Sequence, residues 1–501
     1  MTSAADRTFR ALSRRRFLAL GGGLAATATL GACTSDSSPA PTRIGPASAK
    51  VAAAEQARKK VGASTVDVTL TALPADVDLG GVRVSTWAFD GRIPGKEIRA
   101  KRGDLVRVQV HNALPQETSL HWHGLALRND MDGVPGLTQD AVKPGGSYKY
   151  EFTVPDAGTY WFHPHVGVQL DRGLYAPLIV DDPSEPGDYD QEVVIVLDDW
   201  LDGTGQTPDA VYQNLLQNGM GGMADMASMP KSALLGGDAG DVTYPHFLAN
   251  GRVGNQPQTV VGKAGQRVRL RLINAGADTA FRVGVPGVTM TITHTDGFPV
   301  TARAADAVLL GMGERVDVVV ELPSATTALL ALPEGKVGFA QVVFKVGSGS
   351  SPDVSTLMAD FLRRPVVMGT ALAATEQVLL PAKNPDVTHE LVLEGPTGKY
   401  TWTMNGKTYN PAEGLVVREG QRARLRFVNK TQMFHPMHLH GHTFQVRGQA
   451  GGGPRKDTAV VLPRQTLEVD FDADNPGQWL AHCHNVYHGE AGMMTVVSYV
   501  E

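Results

Sequence analysis

Gly103-Asp104-Leu105-Val106-Arg107-Val108-Gln109-Val110-His111-Asn112 is the first of three versions of one phrase. It returns as Gly265-Gln266-Arg267-Val268-Arg269-Leu270-Arg271-Leu272-Ile273-Asn274 and as Gly420-Gln421-Arg422-Ala423-Arg424-Leu425-Arg426-Phe427-Val428-Asn429. In each copy apolar and polar residues alternate between an opening glycine and a closing asparagine, the pattern of a half-buried strand bracketed by turns. Upstream of each stands a dipeptide suited to a tight hairpin, Asp90-Gly91, Asn250-Gly251 or Asn405-Gly406. Three copies predict an all-β chain of three consecutive Greek-key β-sandwich domains, over 61–183, 184–346 and 386–501. A Gly/Ser- and Ala/Pro-rich connector is expected over 347–385, and the only helix of note from about Asp209 toward Met229, a Met-rich insertion in the second domain.

Composition agrees with many short strands: 56 glycines and 31 prolines accompany only 19% charged residues, and 42% hydrophobic residues suffice for packed cores. A formal net charge of -5 gives no electrostatic case for a nucleic-acid partner. Two cysteines, Cys33 and Cys483, exclude a disulfide framework.

Histidines decorate the first and third copies and skip the second. Nine and eleven residues past the repeat asparagine stand His121 and His123, then His438 and His440; the second copy has Val283 and Val285. Glycines five residues upstream introduce His163-Pro164-His165 and His482-Cys483-His484. Residues two apart on a strand share a face, so eight imidazoles can meet between the first and third domains. Such a cluster suits copper and exceeds what one zinc ion needs. Cys483 points to the opposite face and is followed by His488 and Met493, while His435 stands three residues before His438. A thiolate, two imidazoles and a distant thioether form the ligand set of a blue copper centre. His482-Cys483-His484 would therefore touch two metal sites at once.

Together, His121-Trp122-His123-Gly124, His163-Pro164-His165, His435-Pro436-Met437-His438-Leu439-His440 and His482-Cys483-His484 through Met493 resemble the motifs of three-domain multicopper oxidases, of the laccase and cuprous-oxidase type. The resemblance spans roughly residues 60–501 and implies cupredoxin-like domains with four copper ions. It implies a type 1 copper on His435, Cys483 and His488 with Met493 axial, and a type 2 copper on His121 and His438. The type 3 pair would take His123, His163 and His484 on one ion and His165, His440 and His482 on the other. Electrons would pass singly from the type 1 site to the other three ions, where O2 is reduced to water. Asp132, in Met131-Asp132-Gly133-Val134-Pro135-Gly136, matches the family's carboxylate near the type 2 site and is the expected proton relay. Family members often carry an acid directly after the last type 1 histidine; here Gly489 stands there, and Glu490 is the substitute relay if it turns inward. The remaining histidines, His111, His246, His294, His389 and His442, match no ligand position and read as surface or loop residues.

Met220, Met223, Met226 and Met229 are spaced by three, and soft sulfur prefers Cu(I). With Met433 and Glu490, two residues from His435 and His488, they resemble the substrate Cu(I) site of cuprous oxidases. The leading expectation is a cuprous oxidase in copper tolerance; the blander alternative is that the methionines pack a helix over the sandwich. One alternative is a broad laccase acting on phenols, aromatic amines or Mn(II); another is a copper-binding or cupredoxin-like scaffold without activity. Copper nitrite reductase is disfavoured by the three domains. Expected partners are O2 and Cu(I) or a small organic reductant, with the protein a monomer.

Ser13-Arg14-Arg15-Arg16-Phe17-Leu18 precedes an apolar run over 17–30, short of the about 20 residues that span a bilayer. It resembles a twin-arginine export signal, and Leu30-Gly31-Ala32-Cys33 resembles a bacterial lipobox. Residues 1–32 would be the signal, Cys33 the lipidated N-terminus and 33–60 a tether, which places the protein in the cell envelope or periplasm, or on the outer face of the cytoplasmic membrane. The alternative is an ordinary cleaved signal with an incidental cysteine.

Overall fold

Leu105–Asn112, Arg267–Asn274 and Arg422–Asn429 are strands, each holding the same place in its sheet. Each pairs in parallel with its domain's first long strand, Thr65–Asp78, Gln191–Trp200 or Val387–Thr397. On the other side each pairs antiparallel, with Ser147–Thr153, Arg315–Glu321 or Thr466–Asp472. The structure is a computed structural model describing residues 41–185, 187–220, 230–350, 352–448 and 452–501.

The closing asparagine of each repeat has one task three times over. The Nδ2 of Asn112 donates to the carbonyls of Gln116 and Val142, that of Asn274 to Thr279 and Leu310, and that of Asn429 to Met433 and Val461. Each Oδ1 accepts the backbone N–H two residues on. A buried side-chain amide thus satisfies backbone groups where the strand stops; in the outer domains this is just upstream of the histidine segments. The dipeptide turns also match: both residues of Asp90-Gly91, Asn250-Gly251 and Asn405-Gly406 have positive φ, as a type I′ hairpin requires.

The sheets pair off as four and four strands in the first domain, seven and six in the second and six and five in the third. In the first domain His121–His123 lies beside Gly158–His163, with His121 opposite His163. In the third, His435–Leu439 lies beside Gln478–Cys483, with His438 opposite His482 and Met437 opposite Cys483. Val283 and Val285 of the second domain are buried core residues. Each such burial contributes about 1.5–3 kcal/mol, so that domain uses for packing the positions where its neighbours carry histidines.

Three segments depart from expectation. The tether ends in a helix, Ala49–Arg58, docked on the body: Glu55 accepts the backbone and hydroxyl of Thr153, and Arg58 donates to Asn475 at 2.8 Å. The connector contains a helix, Val354–Phe361, and a strand, Val366–Met368, which joins the second domain's sheet beside Ala307–Leu310 because its apolar side chains complete that core. The insertion helix is shorter than expected: Pro208–Asn218 is capped by Thr207 and stops at Gly219, whose φ of 67° ends the helix before the first methionine. Met220 packs against the core, while Met223, Met226 and Met229 lie outside the described residues, as do Cys33 and the whole export segment. No helix among the described residues is long and apolar enough to cross a membrane.

Candidate metal centres

The eight histidines from the two H-x-H pairs of each outer domain converge between those domains. Nitrogens of His165, His440 and His482 lie within 4.8 Å of one another, as do those of His121, His438 and His440 and those of His121, His123 and His163. The His484 ring stands 4.8 Å from His123 and 5.4 Å from His163, centroid to centroid.

Most of these rings spend one nitrogen on a protein acceptor and aim the other inward. The Nδ1–H groups of His121, His438, His163 and His482 donate to the carbonyls of Asp132, Asp457, Pro164 and Cys483 at 2.8–2.9 Å. His440 Nδ1 donates to Asp132 Oδ2 at 3.0 Å. His123 is reversed: its Nε2 meets Asp457 Oδ1 and Thr458 Oγ1, leaving Nδ1 inward. These contacts fix the tautomers, as partners beyond metal ligands generally do.

The inward atoms are what a cation fits. Nε2 of His121, His163 and His438, Nδ1 of His123 and both nitrogens of His484 are buried without a hydrogen-bond partner. Nε2 of His440 and Nε2 of His482, each made a lone pair by its ring's other bond, face each other at 3.1 Å. Burial, then the neighbouring rings, hold His163, His165, His440, His482 and His484 well below the usual imidazole range; His123 is held low by burial and His438, against Asp457. Neutral imidazoles with opposed lone pairs are costly alone and suited to copper.

At the second site Cys483 Sγ lies 3.5 Å from His435 Nδ1 and 3.7 Å from His488 Nδ1, and those nitrogens are 3.2 Å apart. A point at the middle of that triangle is about 2 Å from each corner, the length of a metal–imidazole bond. Burial pushes the Cys483 thiol up, against the Asn485 N–H, so a thiolate here needs a cation. Met493 is buried, its N–H bonded to the carbonyl of His488 and its carbonyl to the N–H of Cys483. The His488 turn, Val486–Glu490, is capped by Asn485, whose Oδ1 accepts the N–H groups of Tyr487 and His488. The outer nitrogens are also held: His435 Nε2 by Thr431 Oγ1 at 2.8 Å, His488 Nε2 by Asp241 Oδ2 at 2.9 Å.

Sequence profiles of the multicopper oxidase family match residues 74–185, 191–328 and 382–501. Multicopper oxidase MmcO of Mycobacterium tuberculosis is 47% identical, with 98% of this chain and 97% of that one covered. This chain is a multicopper oxidase. A copper resistance protein A homolog of Pseudomonas syringae pv. tomato is 28% identical over 87% of this chain and 92% of its own. The crystal structure of a multicopper oxidase from Pseudomonas thermotolerans superposes with a TM-score of 0.68, at 28% identity over 88% of this chain and all of that one.

As a member of this family the protein is a copper-dependent oxidoreductase with O2 as acceptor, and its domains are cupredoxin-like. Bound copper supplies the one-electron chemistry; the protein's residues hold, orient and shield it. Asp132, fully buried, spans two rings, with Oδ2 on His440 and its carbonyl on His121. Glu490 lines a cavity of about 20 Å3 with His163, His165 and His482, room for about one water molecule, and burial pushes its carboxyl up to about 7. Met433 packs elsewhere, with Leu235, Ala239 and Phe434, so Met433 and Glu490 have different surroundings. His442 is a loop residue but buried, bonded to Tyr499 at 2.6 Å and held by burial to about 4.

The second domain, which supplies no histidine here, supports both centres. Its Arg315 forks onto Asp457, the carboxylate on which His123 and His438 lean. At Gly313, where φ is +85°, a Cβ would stand 2.9 Å from the His123 and His484 rings. Sequence reading missed Asp241, Asp457, Arg315 and Thr431, since nothing in their local pattern separates them from turn or strand polar residues. Asn485 carried a usable signal, a cap residue three before His488.

Proposed function

We propose that this multicopper oxidase takes its electrons from Cu(I), converting it to the less permeant Cu(II), and serves copper tolerance. The observation that carries this reading is Asp241. The outer nitrogen of His488, the type 1 edge toward a donor, is wholly buried and held by this carboxylate, whose other oxygen is buried without a partner. An anion at that edge favours a small cation over a bulky aromatic. Softness comes from sulfur: residues 238–239 run beside 432–433, which brings Met433 to the same segment as Asp241, and Met220 begins the methionine series. The copper-resistance names of relatives at 26–28% identity support the same reading.

Asp132 and Glu490 act as the proton relays, from their contacts with the type 3 histidines and the cavity beside them. The twin-arginine segment and Cys33 direct the chain outside the cytoplasm, where a lipid on Cys33 anchors a monomer to the membrane face. Steady-state kinetics on the copper-loaded protein test the donor. A kcat/KM for Cu(I) well above that for a phenol or Mn(II), lost when Asp241 is replaced by Asn, supports the reading; equal or better turnover of the phenol replaces it with a laccase.

A further inference from the structure

Two of the contacts that hold His488, beside the Trp402 ring against its imidazole and the Met493 N–H on its carbonyl, lead to one carboxylate in the second domain. One begins at Asn485, which caps the His488 turn with its Oδ1. Its Nδ2 donates to Asp278 Oδ1 at 2.6 Å. The other begins at Asp241, which receives His488 Nε2; the N–H groups of Asp241 and Val242 donate to the two oxygens of Asp278 at 3.1 and 3.0 Å. Asp278 is itself buried and fixed. Its own N–H and that of Ala277 donate to Asp199, and Lys336 Nζ stands 2.7 Å from its Oδ2.

We propose that Asp278 is the positioning residue for the donor-facing end of the type 1 site, setting at once the cap that orients His488 and the carboxylate that receives its outer nitrogen. A carboxylate is required because every neighbour is a donor. Oδ1 takes the Asp241 N–H and Asn485 Nδ2, Oδ2 takes the Val242 N–H and Lys336, and an amide would set its own N–H groups against one of those pairs. The effect reaches the type 1 site through the orientation of His488, since partners beyond the ligands tune a metal centre. It explains why a second domain without ligands lies against the third at this point: Asp278 follows closely on the repeat Asn274, so the repeat that places histidines in the outer domains places a support here.

The test is spectroscopic and does not depend on which donor the enzyme prefers. In the copper-loaded, full-length protein, Asp278→Asn is expected to shift the thiolate-to-copper absorption band and the type 1 reduction potential, and to slow reduction by any donor about ten- to a hundredfold. Copper content and the type 2 resonance stay as in the parent. A residue with only a structural role would lower stability and leave band and potential of the folded protein unmoved, and that result overturns the proposal. If Asp278→Asn yields no folded protein, Asn485→Ala decides the matter, because it cuts one of the two holds and keeps Asp278: an unchanged band and potential overturn the proposal, and a shift supports it.

Discussion

Replacing Arg315 with Met removes a guanidinium that is completely buried and bonded on every side. Its Nη1 and Nη2 bind the two oxygens of Asp457 at 2.7 and 2.5 Å, its Nε reaches the carbonyl of Thr159 at 3.0 Å, and Nη1 also meets the carbonyl of Gly313. Burial would raise the Asp457 carboxyl, but Arg315 holds it well below the usual range, so the variant strands an anion with only Thr458, His123 and His438 beside it. Breaking such a pair costs about 3–5 kcal/mol, which is about a hundred- to a few-thousandfold in the folding equilibrium. Asp457 also fixes the tautomers of His123 and His438, so copper affinity should fall about 10–100-fold. Two assays separate these effects: the denaturant midpoint of the copper-free protein, and the copper retained after dialysis against a chelator. The double variant Arg315→Met with Asp457→Leu removes both charges and should regain most of the stability, because apolar replacement of a buried pair is near neutral; it should not regain copper. A single variant within about 1 kcal/mol of the parent with full copper would refute the reasoning.

Asp132→Asn should slow O2 uptake about 10–100-fold, since an amide can present its N–H groups to His440, while anaerobic reduction of the type 1 site by donor keeps its parent rate; a slowed type 1 step would show a broader structural fault. Acid stability should depend on Asp317, which burial would raise but Arg271 and Arg269 hold down to about 2, and which binds Thr159 of the first domain. Its folded value lies below the ordinary one, so its stabilisation, about 2 kcal/mol, is complete above about pH 4 and is lost as pH falls through 2. Thermal midpoints between pH 5 and 2 should drop less in Asp317→Asn than in the parent, and parallel curves would remove Asp317 from the account.

Much of the architecture was legible because it is written in local periods. Alternation between a glycine and an asparagine marks a strand wherever it occurs, and the three asparagines proved to be equivalent side-chain staples. The histidine pairs were legible for the same reason only in part: His121 and His123 share one strand, whereas His165, His440 and His484 stand just beyond the strands that end in or carry His163, His438 and His482. What local pattern could not reach was set by contacts between distant segments. The connector became a sheet strand through pairing with Ala307–Leu310. The end of the insertion helix at Gly219 is by contrast a local stop, a glycine at positive φ.

By itself the sequence determined the three-fold strand repeat, the histidine-bearing positions of the outer domains and the His482-Cys483-His484 segment that borders both clusters. Only the tertiary structure decided which nitrogen of His123 and of His440 faces inward, because that depends on Asp457 and Asp132, far away in the chain, whereas His163 and His482 lean on the carbonyl of the next residue. It also decided the role of the second domain. A buried carboxylate or guanidinium must find its partners wherever the fold brings them, so Asp241 and Asp278 meet the His488 turn, and Arg315 meets Asp457, across more than a hundred residues that carry no sequence mark of the meeting.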